Sequence, residues 1–191
     1  MTLTESWRVF CAVELPAEVR TRLQDHVRQL RADVQDVAAS WTRVENIHLT
    51  LKFFGNVERK RIASISAAAL RATEQFSPFT IDVGGTGVFP KPSRAQVLWI
   101  GINDPSDQLA ALQKQLENQF AGAGFEKEGR AFKPHLTIAR IRRPEGARQL
   151  ADAHLQTAFQ PQQIGITEIV IFRSELSPQG SKYTALSRHK F

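Results

Sequence analysis

The tetrapeptide His-Leu-Thr-Leu at residues 48–51 returns as His-Leu-Thr-Ile at residues 135–138. Both copies lie in apolar runs typical of β-strands, and side chains along a strand alternate between two faces. We therefore expect His48 and Thr50 to share one face of a strand, and His135 and Thr137 to share one face of another. If these faces meet, they form a cleft with two imidazoles, which can act as general acid and base, and two hydroxyls that can donate to an oxyanion.

The two copies are 87 positions apart, and similar patterns precede each of them. Residues 8–14 and 95–101 are expected to be strands. Residues 16–30 and 105–120 are expected to be helices, each with proline near its start. The order strand, helix, His-strand therefore occurs twice, which indicates an internal two-fold repeat.

The remaining segments complete an α+β pattern with mixed or mostly antiparallel sheets. We expect helices at 57–76 and 147–155, and strands at 79–83, 164–172 and 183–187, with the glycine-rich segment 84–87 forming a turn. A chain of 191 residues can build one sizeable core. The sequence predicts a single bilobal domain over residues 1–191, built from two pseudo-symmetric lobes.

The charge balance suits a phosphate-bearing partner, because 25 Lys and Arg residues exceed 19 Asp and Glu residues and give a net charge of +6. Several of these cations lie close to the two histidine motifs in sequence. Each of them taken alone is as compatible with a solvated rim as with a binding role. They are Lys52, Arg130, Lys133, Arg140, Arg142 and Arg143.

The other candidate groups point away from alternative chemistries. Cys11 is the single cysteine and is expected to be a buried structural thiol. His26, His154 and His189 are expected at the surface. Two histidines from separate strands are too few ligands for a metal site, so no metal and no cofactor is predicted.

The sequence has no signal-peptide pattern and no apolar run of membrane-spanning length, and a cytoplasmic protein is expected.

The segments VENIHLTLKFFGNV and GRAFKPHLTIARI resemble the two-histidine (2H) phosphoesterases, and more narrowly the RNA 2′,3′-cyclic phosphodiesterases, also called bacterial 2′-5′ RNA ligases. The segments RVFCAVELP and SELSPQGSKYTAL add to the resemblance, which covers essentially the whole chain. It implies two pseudo-symmetric lobes, with antiparallel sheets lining a central cleft and helices outside. The implied reaction needs no metal.

The resemblance also implies a substrate and roles for particular residues. The substrate is RNA or an oligonucleotide with a 2′,3′-cyclic phosphate end, which is opened to a 2′-phosphomonoester. His48 is expected as the acid that protonates the 3′-oxygen and His135 as the base, although the sequence itself does not distinguish these roles. Thr50 and Thr137 are expected to hold phosphate oxygens, with Arg130 as a cationic contact. Phe10 and Phe53 are expected in core packing rather than under a base.

Three alternatives remain open at this point. The protein could be a non-catalytic module that binds RNA ends, or a phosphodiesterase that acts on a small cyclic nucleotide. It could also run the related reaction backwards and join RNA halves through a 2′-5′ linkage. A monomer without membrane association is expected in each case.

Overall fold

Helices and antiparallel strands are mixed along the chain in a computed structural model that describes residues 5–35, 37–178 and 180–191. This arrangement confirms the predicted α+β class with antiparallel sheets. No helix in these described ranges is both long and apolar enough to cross a membrane. The elements in chain order are β1 Ser6–Val13, α1 Ala17–Asp33, β2 Ala39–Trp41, β3 Leu49–Glu58, α2 Ile62–Thr73, β4 Phe79–Phe89, β5 Val97–Asn103, α3 Gln108–Gly122, β6 His135–Ile141, α4 Ala147–Gln156, β7 Gln162–Ile166, β8 Glu168–Ser177 and β9 Gly180–Lys190.

The strands form two sheets in which every neighbouring pair is antiparallel. The first sheet has the order β3-β1-β8-β9, and the second has the order β2-β6-β5-β4-β7. In the first sheet, β3, which follows His48, lies beside β1. In the second sheet, β6, which begins at His135, lies beside β5. Because β8 and β9 join the first sheet while β4 joins the second, each sheet contains strands from both halves of the chain.

The helices cover the sheets on their outer sides. Helices α2 and α3 pack against each other and against strands of the first sheet, whereas α1 packs on α4, which contacts β4 of the second sheet. One apolar cluster includes buried residues from both sheets, among them Val9 of β1 and Leu98 of β5. Cys11 belongs to this cluster and is fully buried, as expected, and burial raises the pKa of its thiol.

Three predicted element boundaries are wrong. Helix α2 begins at Ile62, because residues 57–58 still belong to β3 and a 3₁₀ turn at Arg59–Arg61 follows. The expected turn at 84–87 lies inside β4, where a bulge in the pairing with β5 absorbs the irregularity and Gly85 adopts φ 74°. The segment 164–172 is two strands, since β7 pairs with β4 and β8 pairs with β1, and Thr167 lies between them.

The expectation that three histidines lie at the surface is also wrong. His26, His154 and His189 are all buried. Nε2 of His26 lies 3.0 Å from Nδ1 of His154, and Nε2 of His154 lies 3.1 Å from the carbonyl oxygen of Trp99. The contact between these two rings and the carbonyl of Trp99 supply partners to His26 and His154 without exposure to water, whereas Nε2 of His189 lies 2.9 Å from Oγ of Ser187.

Candidate active site

The two His-x-Thr motifs occupy equivalent places at the start of β3 and β6. His48 immediately precedes β3, and His135 is the first residue of β6. The intervening apolar residues Leu49, Leu51, Leu136 and Ile138 are all buried, at 4% exposure or less. Alternation along each strand therefore turns the histidine and threonine side chains away from the core.

A cavity of about 580 Å³ lies between the two sheets and is lined by both motifs. The structure thus brings together all the site residues that the sequence singled out: His48, Thr50, Arg130, His135 and Thr137. Other lining residues come from the same two strands, β3 and β6, and from β1, β8 and β9, which are distant from the motifs in sequence. They include Arg8, Phe10, Phe53, Arg140, Ser174, Ser181 and Tyr183.

Both imidazoles are oriented by the same local hydrogen bond. Nδ1 of His48 lies 2.8 Å from the carbonyl oxygen of Asn46, and Nδ1 of His135 lies 2.7 Å from the carbonyl oxygen of Lys133. A carbonyl oxygen only accepts, so each Nδ1 must carry the hydrogen and donate it. Nε2 of each ring is consequently the atom that remains to take or give a proton in the cavity.

The surroundings of the two imidazoles differ. Phe10 stacks on His48 with ring centroids 4.6 Å apart, and Tyr183 contacts it edge-on at 5.4 Å. This burial lowers the pKa of His48 below its usual value, although the hydrogen bond to the Asn46 carbonyl acts in the opposite direction. His135 is contacted edge-on by Phe89 at 5.0 Å.

Three arginines make the cavity cationic, and no carboxylate is among the described residues that line it. Arg130 is exposed and forms a bidentate pair with Glu128, with N···O distances of 3.0 and 2.9 Å, which lowers the pKa of Glu128 to about 2. Because water screens an exposed pair of this kind, phosphate can displace Glu128 at small cost. Arg140 forms no ion pair with any other described residue.

The prediction that Phe53 packs in the core is wrong, whereas Phe10 is buried as expected. A bulge in the pairing of β3 with β1 leaves both Leu51 and Lys52 buried, so Phe53 lies 47% exposed beside Thr50. The guanidinium carbon of Arg8 lies 4.6 Å from the ring centroid of Phe53. Sequence reasoning missed Arg8, and the signal available was a charged residue two positions before Phe10, on the same face of β1.

The described residues contain no cluster of three or more His, Cys, Asp or Glu side chains that could hold a metal ion. The buried pair of His26 and His154 lacks a third ligand of that kind. The chemistry available in the cavity is therefore that of two imidazoles, two hydroxyls and three guanidinium groups, which suits proton transfer around a bound phosphate.

Comparison with known proteins agrees with this geometry. Residues 16–177 match the family model of the 2′-5′ RNA ligase superfamily. An RNA 2′,3′-cyclic phosphodiesterase of Methanothermobacter thermautotrophicus is 34% identical over 182 residues, which cover 93% of this chain and 95% of the relative. The protein of that name from Thermotoga maritima is 30% identical over 185 residues, which cover 96% of this chain and 95% of the relative. The crystal structure of Escherichia coli LigT complexed with 3′-AMP has a TM-score of 0.75 at 27% identity, and the match covers 98% of this chain and 99% of LigT.

Proposed function

The chain belongs to the 2′-5′ RNA ligase superfamily, and from this premise we propose that it is an RNA 2′,3′-cyclic phosphodiesterase that needs no metal. It hydrolyses a terminal 2′,3′-cyclic phosphate to a 2′-phosphomonoester. The observation that carries this assignment is the pair of imidazoles at one cavity, each held through Nδ1 so that Nε2 is the reactive atom. The curated relatives share the activity in their names.

In the proposed reaction, the oxygen of water forms a bond to phosphorus while the bond from phosphorus to the 3′-oxygen breaks. His135 takes the proton of the water at Nε2, and His48 gives its Nε2 proton to the departing 3′-oxygen. This allocation follows the family resemblance. The lowered pKa of His48 makes its protonated form a stronger acid, and an anionic phosphate in the cavity favours that protonated form. The two rings end the cycle with their protonation states exchanged, and exchange with water restores them.

The hydroxyls of Thr50 and Thr137 are proposed to donate hydrogen bonds to the non-bridging phosphate oxygens. Arg8, Arg130 and Arg140 surround the same space and favour the developing negative charge. Because the product monoester carries more charge than the cyclic diester, these cations are expected to bind the product more strongly than the unreacted ring. All these groups come from one chain, which supports a monomer as the active form.

The test is incubation of the purified protein, with EDTA present, with a short RNA that ends in a 2′,3′-cyclic phosphate. We expect a product with a 2′-phosphate, formed at an undiminished rate in EDTA and lost in His48→Ala and His135→Ala. A second reaction, containing an RNA with a 5′-hydroxyl, tests for ligation: this hydroxyl replaces water as the attacking group, the 3′-oxygen leaves, and a 2′-5′ linkage forms. An unchanged cyclic end, or a 3′-phosphate product, would contradict the proposal.

A further inference from the structure

Two more cavities adjoin the catalytic cavity and lead away from His48 towards helix α1. The first, of about 480 Å³, shares Asn46, His48, Ser181 and Tyr183 with the catalytic cavity. The second, of about 640 Å³, shares Arg20, Arg43 and Glu45 with the first. We refer to this second cavity, lined by Arg20, Gln24, Arg28, Arg31, Trp41 and Arg43, as the arginine groove.

One wall of the arginine groove is a single stripe of helix α1. Residues 20, 24, 28 and 31 follow one another at intervals of three or four, so their side chains lie on the same helical face. At a rise of 1.5 Å per residue, the stripe from Arg20 to Arg31 extends over roughly 16 Å. This is long enough to follow more than one phosphate of a nucleic acid strand. Trp41 of β2 adds an aromatic surface to the opposite wall.

The first cavity and the arginine groove together form a path from His48 to helix α1, and the charges of the residues that line this path favour an anion. Its described cations are Arg20, Arg28, Arg31, Arg43 and Lys182, against two carboxylates, Glu14 and Glu45. Glu14 is already paired with Arg188, at 2.6 Å, and lies 3.8 Å from Arg20. Arg28 is paired with Asp25 of the same helix, whereas Arg31 and Lys182 form no ion pair with another described residue, so carboxylates offset only part of the positive charge.

Individual side chains in the path also have unused hydrogen-bond donors. Nε of Arg20 is buried at the junction of the two cavities and has no hydrogen-bond partner among the described residues. Because this nitrogen is buried, it is not itself open to a ligand, and the donors available along the path belong to exposed side chains. Arg31 and Lys182 are exposed and form no ion pair with any residue that the structure describes.

We propose that the arginine groove binds the sugar–phosphate backbone of the RNA behind its cyclic end. This inference rests on the proposed function and refines it, because it identifies the substrate as an RNA chain of several nucleotides and not a free cyclic mononucleotide. The terminal nucleotide occupies the catalytic cavity, and the preceding phosphates follow the path past Lys182 to Arg31. Continuity with the histidine cavity favours RNA over an unrelated acidic partner.

The test compares a hexanucleotide that ends in a 2′,3′-cyclic phosphate with 2′,3′-cyclic AMP as substrates. The variant is Arg31→Ser with Lys182→Ser. The matched control is Lys114→Ser with Lys190→Ser, which removes the same charge from exposed positions that do not line the path. Turnover of both substrates is measured, and binding of the hexanucleotide is measured by fluorescence anisotropy over a range of salt concentrations.

We expect the Arg31/Lys182 variant to raise the KM for the hexanucleotide by about tenfold while 2′,3′-cyclic AMP is turned over as before. Loss of two phosphate contacts should also reduce the slope of log K against log salt by about 1.4. Three outcomes would contradict the proposal that the arginine groove binds RNA. They are an equal effect on both substrates, no effect on the hexanucleotide, and the same effect in the control variant. The unmodified protein could also bind the hexanucleotide with the expected salt dependence and turn over neither substrate. This result would contradict the proposed activity but support binding of RNA in the arginine groove.

Discussion

Lys52 Nζ lies 2.9 Å from Glu117 Oε2, and this ion pair is buried between β3 and α3. Lys52 also donates to the carbonyl oxygen of Glu126 at 2.8 Å, and Glu117 accepts from the backbone N–H of Glu128 at 3.2 Å. The pair therefore connects the strand after His48 to the loop that leads to Arg130. The sequence left Lys52 equally compatible with a solvated rim and a binding role, and the structure instead makes it an internal connection between two parts of the site.

We predict that Lys52→Met alone, or Glu117→Leu alone, lowers the free energy of unfolding by about 3–5 kcal/mol, because each leaves a buried charge without its partner. The double variant should lose much less than the sum of the two single variants. Urea denaturation of all four proteins measures this coupling. Additive losses would show that the two side chains do not stabilise each other.

Each of the two histidines proposed as acid and base should be needed for turnover but not for folding. We expect His48→Asn and His135→Asn each to lower kcat by about 10²–10⁴-fold, because each removes a proton-transfer group. His189→Asn is the matched control, since His189 is also buried but does not line the cavity. The control should retain activity within about twofold. A catalytic variant that retains full kcat would refute the role assigned to that histidine.

Gly87 is expected to tolerate no side chain. A Cβ at this position would lie 2.1 Å from ring carbons of Trp99, whose ring centroid is 6.4 Å from that of His135. Gly87→Ala should cost about 1–3 kcal/mol of stability through overpacking, and should lower activity by displacing Trp99. Gly165→Ala is the control in β7, because a Cβ there meets no atom within 4 Å. Equal thermal stability of the two variants would contradict this packing.

Stability should fall as the pH is lowered from about 6.5 towards 4. Burial, and then the neighbouring His154, lower the pKa of His26 to about 4, while in the unfolded chain it returns to about 6.5. Below pH 6.5 the unfolded chain therefore binds a proton that the folded chain does not, which favours unfolding. The contribution of neutral His26 to the free energy of unfolding is fully present above pH 6.5. It is lost as the pH falls towards and through the pKa of His26 in the folded protein. Burial lowers the pKa of His48, His154 and His189 in the same direction.

Urea unfolding at intervals between pH 7 and 4.5 measures this dependence. His26→Gln should flatten the profile, because glutamine keeps a hydrogen-bonding group without titrating in this range. An identical profile in the variant and the unmodified protein would exclude His26 as a source of the pH dependence.

The local pattern of the sequence predicted the elements at the two motifs because their signals are short-range. Alternating apolar residues on both sides of His48 and His135 require strands, and the apolar face has to be buried wherever the strand lies. The same kind of signal predicted α1 after Pro16 and the buried position of Cys11. The repetition of a histidine and a threonine at one offset was sufficient to identify the residues that meet in the cavity.

Only the tertiary structure decided which strands pair and which polar groups are buried. The segment 164–172 has one continuous apolar pattern, yet it is divided between two sheets because β4 and β1 are distant partners that the local sequence does not specify. The local sequence also does not specify the partners of buried polar groups. Lys52 and Glu117 are 65 positions apart, and His26 and His154 are 128 positions apart. The sequence by itself determined which side chains face the cavity from the two motifs, through the two-residue period of a strand. Long-range packing determined the pKa of His48, the exposure of Phe53 and the charged path beside helix α1.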